Sequence, residues 1–356
     1  VLRVRFDPVL ALLLLALAGL GLTVLHSAVD RDLDRLLAQG ARLGLGAVVM
    51  LVAAQFPPRF YERWAPALYG AGVLTLVLVL LVGHASKGST RWLDAPGLPR
   101  FQPSEIMKIA LPLTVAAVLA RRPALRPMDL VVTGALIAGP MVLVMLQPDL
   151  GTSLLIAASG FWALLLAGLP WRYLVAAGAG AAALAPLLYH YVLRDYQKER
   201  VLTLFDPERD PLGAGWNITQ SKTAIGSGGV TGKGLFQGTQ SHLDFLPERH
   251  TDFIIAVLAE ELGLVGVLAL LGLYLLVVAR GLAIAIQASD PFGRLLAGSL
   301  TLTFFVYVFV NAAMVSGLLP VVGVPLPLVS YGGTSAVTLL AGFGLLMSVH
   351  SHRRGL

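Results

Sequence analysis

Charge-poor apolar runs about as long as a bilayer is thick recur along this chain, and no other feature limits its fold as tightly. Ten can be marked: Val9–Ala28, Leu43–Phe56, Ala65–Gly83, Ile106–Ala120, Leu130–Leu146, Leu154–Leu169, Tyr173–Leu193, Phe253–Val278, Leu295–Leu319 and Ser335–Val349. A helix crossing a bilayer needs about 20 mostly apolar residues, so the second and fourth runs must borrow flanking residues. Barrel strands would be about 10 residues of alternating polarity, whereas these runs are longer and apolar all round. Composition agrees. Only 13% of the residues are charged, against about 25% in soluble domains, too few to cover a large core in water. The sequence therefore predicts an all-α polytopic membrane protein, one membrane domain over residues 1–356 with about ten transmembrane helices. It contains no cysteine, which excludes disulfides, thiol nucleophiles and Cys-based metal sites.

Arginine distribution gives an orientation. Arg3, Arg5, Arg59, Arg63, Arg121, Arg122, Arg126, Arg172, Arg280, Arg294, Arg353 and Arg354 fall in alternate loops, accompanied only by Asp7, Glu62, Asp129 and Asp290. The positive-inside rule places those loops and both termini in the cytoplasm. The first run is long for a signal peptide and nine others follow it, so it is read as a retained helix. The net charge of +6 is then a topological signal, with no nucleic-acid partner implied. Three segments fall outside: His84–Glu105, the long loop Arg194–Thr251 between spans seven and eight, and Pro320–Thr334. The long loop holds seven basic and seven acidic residues and several large apolar ones, among them Phe205, Trp216 and Phe236. Loops longer than about 15 residues are usually functional or disordered; with that apolar content an ordered extracellular cap is expected.

The polar groups near the outer ends of the spans each have a bland and a functional reading. Asp149, after Pro148, is placed to cap the next helix or to take part in chemistry. Asp252 precedes a long apolar run and resembles an N-cap. However, Glu248, Arg249 and His250 crowd beside it, more ionisable groups than capping requires. Farther along, Glu260 and Glu261 lie about 80° and 180° around the helix from Asp252, which favours structural pairing for both. Glu105 and Lys108 are an i,i+3 pair, and Lys108 is equally suited to a phosphate. Arg91-Trp92-Leu93 reads as an interfacial anchor. The glycines of Gly226-Ser227-Gly228-Gly229 and Gly232-Lys233-Gly234 suggest a phosphate cradle, but no strand precedes them and no Walker Lys-Ser/Thr follows. Pro325, Pro327, Gly332 and Gly333 predict an unwound or re-entrant segment, which is tolerated at membrane depth only when buried in protein or lining a cavity.

As a set, these motifs resemble the SEDS family (shape, elongation, division and sporulation) of polytopic peptidoglycan glycosyltransferases. The resemblance is carried by Lys87–Trp92, Gln102–Glu105 with Lys108, Gln147–Thr152, Asn217–Gly229, Leu246–Phe253 with Glu260–Gly263, and Pro325–Ser335. Pro247-Glu248-Arg249-His250-Thr251-Asp252-Phe253 looks like the elongation member; the division member more often has Ala where Arg249 stands. The resemblance implies a lipid II substrate at the outer face of the bacterial cytoplasmic membrane, with Asp252 as the essential carboxylate. It also implies substrate contacts from Gln102, Glu105, Asp149, His250 and Ser330, with Arg91, Lys108 and Arg249 as candidates for the pyrophosphate. Partners would be a single-span class B penicillin-binding protein, elongation complex proteins and membrane lipids. The sequence requires no cofactor and implies no protein metal site; a divalent cation, Mg or Mn, on the pyrophosphate is compatible with it. Two rival readings are a lipid flippase, with acids spread through the membrane as a proton relay, and a non-enzymatic scaffold for the synthase partner.

Overall fold

The computed structural model describes residues 5–86, 89–93, 101–122, 124–193, 195–206, 210, 213–242 and 248–353. In chain order the elements begin with α1 (Pro8–Ala28), α2 (Leu33–Gln55) and α3 (Pro58–Val82), then the antiparallel hairpin of β1 (His84–Ser86) and β2 (Ser89–Trp92). Next come α4 (Pro103–Leu119), α5 (Pro127–Leu146), α6 (Leu150–Leu166) and α7 (Trp171–Leu187), which ends in a π-helical turn. The long loop holds α8 (Asp195–Phe205), α9 (Ala214–Gly228) and α10 (Thr239–His242), and the chain closes with α11 (Ile254–Ile286), α12 (Pro291–Val315) and α13 (Thr334–Ser351). Each of the ten apolar runs lies mainly in a helix. Eight of these helical segments are long and apolar enough to cross a membrane, which makes this a multi-pass membrane protein. α4 and α6 have 17 residues each, whereas α2 extends back to Leu33 and is longer than its apolar run.

Local chemistry sets the helix starts. Pro8, Pro58, Pro103, Pro127 and Pro291 open helices, where a missing N–H costs nothing. Asp7, Asp32, Asp149 and Asp290 cap helices by accepting backbone amides. The helices pack as two large apolar cores, with a small third cluster of Leu155, Tyr307 and Val324. One large core gathers α1, α2, α11 and α13 around the irregular stretch 321–329; the other gathers α3, α4, α5 and α6. α12 contributes to both, so their seam runs along it. α7 buries none of its described residues.

The glycine-rich stretch of the long loop has a structural purpose. α11 is interrupted at Gly263, whose φ is +63°, and the loop backbone is spliced into the break. Lys233 N donates to Glu260 O (3.0 Å) and Gly234 N to Glu261 O (2.9 Å), while Leu264 N and Val265 N donate to the carbonyls of Gly229 (3.0 Å) and Val230 (3.1 Å). A Cβ on Gly232 would stand 2.1 Å from Glu261 O, so only glycine fits. These amides are occupied by helix carbonyls, which removes the phosphate-cradle reading. α9 covers this region: Ile218, Ser221 and Ala224 are buried, and Ser221 Oγ donates to Val315 O (2.7 Å).

Candidate active site

At the seam between the two cores, on the side that carries the long loop, lies a polar cavity of ≈ 140 Å³. Its walls come from α4 (Glu105, Lys108), the residue before it (Gln102), the start of α6 (Asp149, Thr152), Tyr307 of α12, Trp92 of β2, and the segments 323–325 and 332–335. The last two belong to the unwound stretch expected from its prolines and glycines. Leu326, Leu328 and Val329 are buried there, so its irregular backbone is enclosed by protein as membrane depth demands.

Lys108 Nζ is 2.6 Å from Glu105 Oε1, and the two side chains are only 12% and 7% exposed. The i,i+3 pair expected from the spacing is therefore formed, and it is buried. Lys108 Nζ also stands 4.9 Å from the Tyr307 ring centre. The second carboxylate oxygen, Glu105 Oε2, is buried with no hydrogen-bond partner among the described residues. Across the cavity, Asp149 Oδ1 caps α6 by accepting from Thr152 N (3.1 Å) and its Oδ2 accepts from Gln102 Nε2 (3.4 Å). Asp149 thus caps α6 and also forms part of the cavity wall. Trp92 also lines the cavity, a placement that the anchor reading did not anticipate. The Arg91 side chain lies outside the described residues.

Asp252 lies beside the cavity, next to the lining residue Gly323. It is not the N-cap residue of α11: that position is Phe253, whose side chain makes no capping bond. The turn is held instead by Asn311, fully buried on α12, whose Nδ2 donates to Asp252 O (2.9 Å) and to Val324 O (2.6 Å). That clasp joins the Asp252 turn to the cavity wall. A Cβ on Gly323, itself a lining residue, would stand 3.6 Å from Asp252 Oδ2. The neighbouring candidates build the frame. Arg249 pairs with Asp30 at the end of α1. His250 O accepts from Tyr331 N (2.8 Å). Ser330 Oγ donates to Thr251 O and accepts from Leu326 N (2.8 Å), and buried Gln39 of α2 hydrogen-bonds Ser330 O (3.2 Å) and Gly332 N (3.3 Å).

The deeper acids are taken up by structure. Glu260, fully buried, accepts from Lys233 Nζ (2.6 Å), Gln240 N (2.9 Å) and Thr239 Oγ1 (3.2 Å). Glu261 accepts from Ser27 Oγ (2.5 Å) and Phe236 N (3.1 Å). The pairing expected for both is what the fold provides, and the long loop supplies most of the donors.

The family model described as "Cell cycle protein", named for FtsW, RodA and SpoVE, matches residues 8–355. The chain belongs to this family. Peptidoglycan glycosyltransferase MrdB of Escherichia coli K12 is 55% identical across 99% of this chain and 95% of that protein. A probable peptidoglycan glycosyltransferase FtsW of Geobacter sulfurreducens is 37% identical across 99% and 96%. Among solved structures, a chain of a peptidoglycan synthase complex that coordinates polymerization and crosslinking superposes with a TM-score of 0.87 at 37% identity, covering 98% of each chain. The rod shape determining protein RodA of Thermus thermophilus gives 0.76 at 34%, covering 99% of each.

Within this family fold, sequence reasoning missed two residues of the site. Tyr307 and Asn311 lie inside an apolar run, one helical turn apart on α12. A polar residue in a span is the signal that could have found Asn311; Tyr307 carries no such mark.

Proposed function

We propose that this protein is a peptidoglycan glycosyltransferase that polymerises lipid II during cell elongation, at the outer face of the bacterial cytoplasmic membrane and with both termini in the cytoplasm. The acceptor 4-hydroxyl attacks the anomeric carbon of the donor in line; the bond to the pyrophosphate breaks, and the configuration inverts. Asp252 takes the hydroxyl proton as general base. Lys108, held by Glu105, offsets the charge gathering on the departing lipid pyrophosphate, while Gln102 and Asp149 contact substrate from the opposite wall. Arg249, His250 and Ser330 serve this site by fixing the Asp252 turn and the unwound segment; Arg91 is assigned to the pyrophosphate by its motif. The observation that carries the reading is a buried, ion-paired ammonium inside a polar cavity with the Asp252 carboxylate next to the lining residue Gly323. The engagement of Glu260 and Glu261 in structural contacts weighs against a proton relay through the membrane.

Among the described residues no three His, Asp or Glu side chains converge as metal ligands. We keep a divalent cation, Mg or Mn, on the substrate pyrophosphate as compatible with this reading, and no step above is routed through it. For the partner we propose a class B penicillin-binding protein within the elongation complex; the resemblance to a chain of a polymerising and crosslinking complex supports this. The decisive experiment gives labelled lipid II to the purified protein with and without that transpeptidase. Asp252→Asn, nearly isosteric, should yield no polymer while melting like the wild type. Polymer from that variant would refute the assignment.

A further inference from the structure

Beyond Lys108 the cavity changes character. A narrow slot of ≈ 40 Å³ runs between α4, α12 and α13, walled by Leu300, Phe304, Leu339, Phe343 and Leu346. Glu105, Lys108 and Tyr307 line the polar cavity and the slot alike, so the boundary between wet and apolar space passes through these three side chains. Tyr307 is 4% exposed. Its ring takes the Lys108 ammonium on one face; its hydroxyl oxygen is also within the ammonium's reach but has no acceptor for its own proton among the described residues. A buried hydroxyl without an acceptor costs free energy, so a tyrosine there is better matched to a ligand than to the empty fold. Tyrosine also has the form that such a boundary needs, an apolar body with one polar end.

We propose that Tyr307 is a positioning residue for an isoprenoid pyrophosphate: its ring orients Lys108, its hydroxyl donates to a phosphate oxygen, and the slot beyond receives the first carbons of the isoprenoid. The slot is too small for more than the start of such a chain, so the remainder passes into the bilayer. This deepens the glycosyltransferase reading by assigning the two ends of the donor lipid to two kinds of wall. A merely structural tyrosine would be replaced by phenylalanine without loss, since the ring would still fill its place.

The test measures binding first, so that it does not depend on turnover. Farnesyl pyrophosphate, inorganic pyrophosphate and farnesol are titrated against the purified full-length protein in detergent. Tyr307→Phe keeps the ring and should weaken both pyrophosphates about tenfold, leaving farnesol unchanged. Tyr307→Leu also loses the cation–π contact and should weaken them further. Gly342 lines the slot, and a Cβ there would meet nothing within 4 Å. Gly342→Leu should therefore fill the slot, weakening farnesyl pyrophosphate but not inorganic pyrophosphate. In polymerisation assays Tyr307→Phe should act mainly on KM for lipid II. Wild-type affinity for farnesyl pyrophosphate in Tyr307→Phe would overturn the role of the hydroxyl. Equal loss of both pyrophosphates in Gly342→Leu would overturn the slot. If binding follows the expectation and wild type makes no polymer, the glycosyltransferase reading fails and this site stands.

Discussion

Replacing Lys233 by methionine removes the ammonium but keeps most of the apolar stem, and the structure sets how much that should cost. Glu260 is fully buried, whereas the Lys233 side chain is 26% exposed and reaches Glu260 from the long loop at 2.6 Å. Losing one partner of a buried pair costs about 3–5 kcal/mol, because the other charge is left uncompensated. Glu260 keeps the Gln240 amide and the Thr239 hydroxyl, and the site of the ammonium is partly wet, so the low end, about 3 kcal/mol, applies. The reverse change, Glu260→Gln, should cost only about 1 kcal/mol, since a partly exposed ammonium can turn to water. At an unfolding entropy of about 2.1 cal/mol/K per residue, that corresponds to melting temperatures lowered by roughly 4 °C and 1 °C. The double variant should melt near Glu260→Gln alone, because no buried charge remains. Thermal unfolding of the purified protein in detergent measures all four species. A Lys233→Met protein melting within about 1 °C of wild type, or a double variant showing the simple sum of the singles, would refute the claim that this pair fastens the loop to α11.

Other consequences follow from the same geometry. Gly232→Ala, at φ +79° and against Glu261 O, should destabilise by several kcal/mol, whereas Gly226→Ala, with open space around its Cβ, should be neutral or slightly stabilising; parallel melting curves compare the two. Because the Glu105–Lys108 pair is buried, Lys108→Gln alone should lower the melting temperature by several degrees as well as suppress polymerisation. The double change with Glu105→Gln should restore stability but not activity, and recovery of both would return the pair to a structural role. Thr231→Cys, in a chain with no native cysteine, should react with an impermeant thiol reagent in intact cells; labelling only after permeabilisation would reverse the orientation.

The membrane class and the ten helical runs were legible in the sequence, because apolar length matches bilayer thickness. The helix starts were not: α2 and α3 begin at Leu33 and Pro58, ahead of the apolar runs from Leu43 and Ala65, since a polar first turn set by a proline or an aspartate cap adds nothing to an apolar run. Asp252 stood out because too many ionisable groups gather around it for a cap, and Gln102, Glu105, Lys108 and Asp149 because polar groups at the ends of spans are costly unless they are used.

Tertiary structure alone decided how those groups are shared out. No spacing reveals that Arg249 turns toward Asp30, that Ser330 clamps the Asp252 turn, or that Tyr307, four residues before Asn311, closes the polar cavity. Each of these contacts joins elements far apart in the chain, and a periodic apolar pattern does not specify which neighbour a helix face will meet. The glycine-rich loop shows the limit most clearly. Its residues suit a phosphate as well as they suit a broken helix, and the choice was made by α11, whose interruption at Gly263 presents free carbonyls and amides that the loop backbone satisfies.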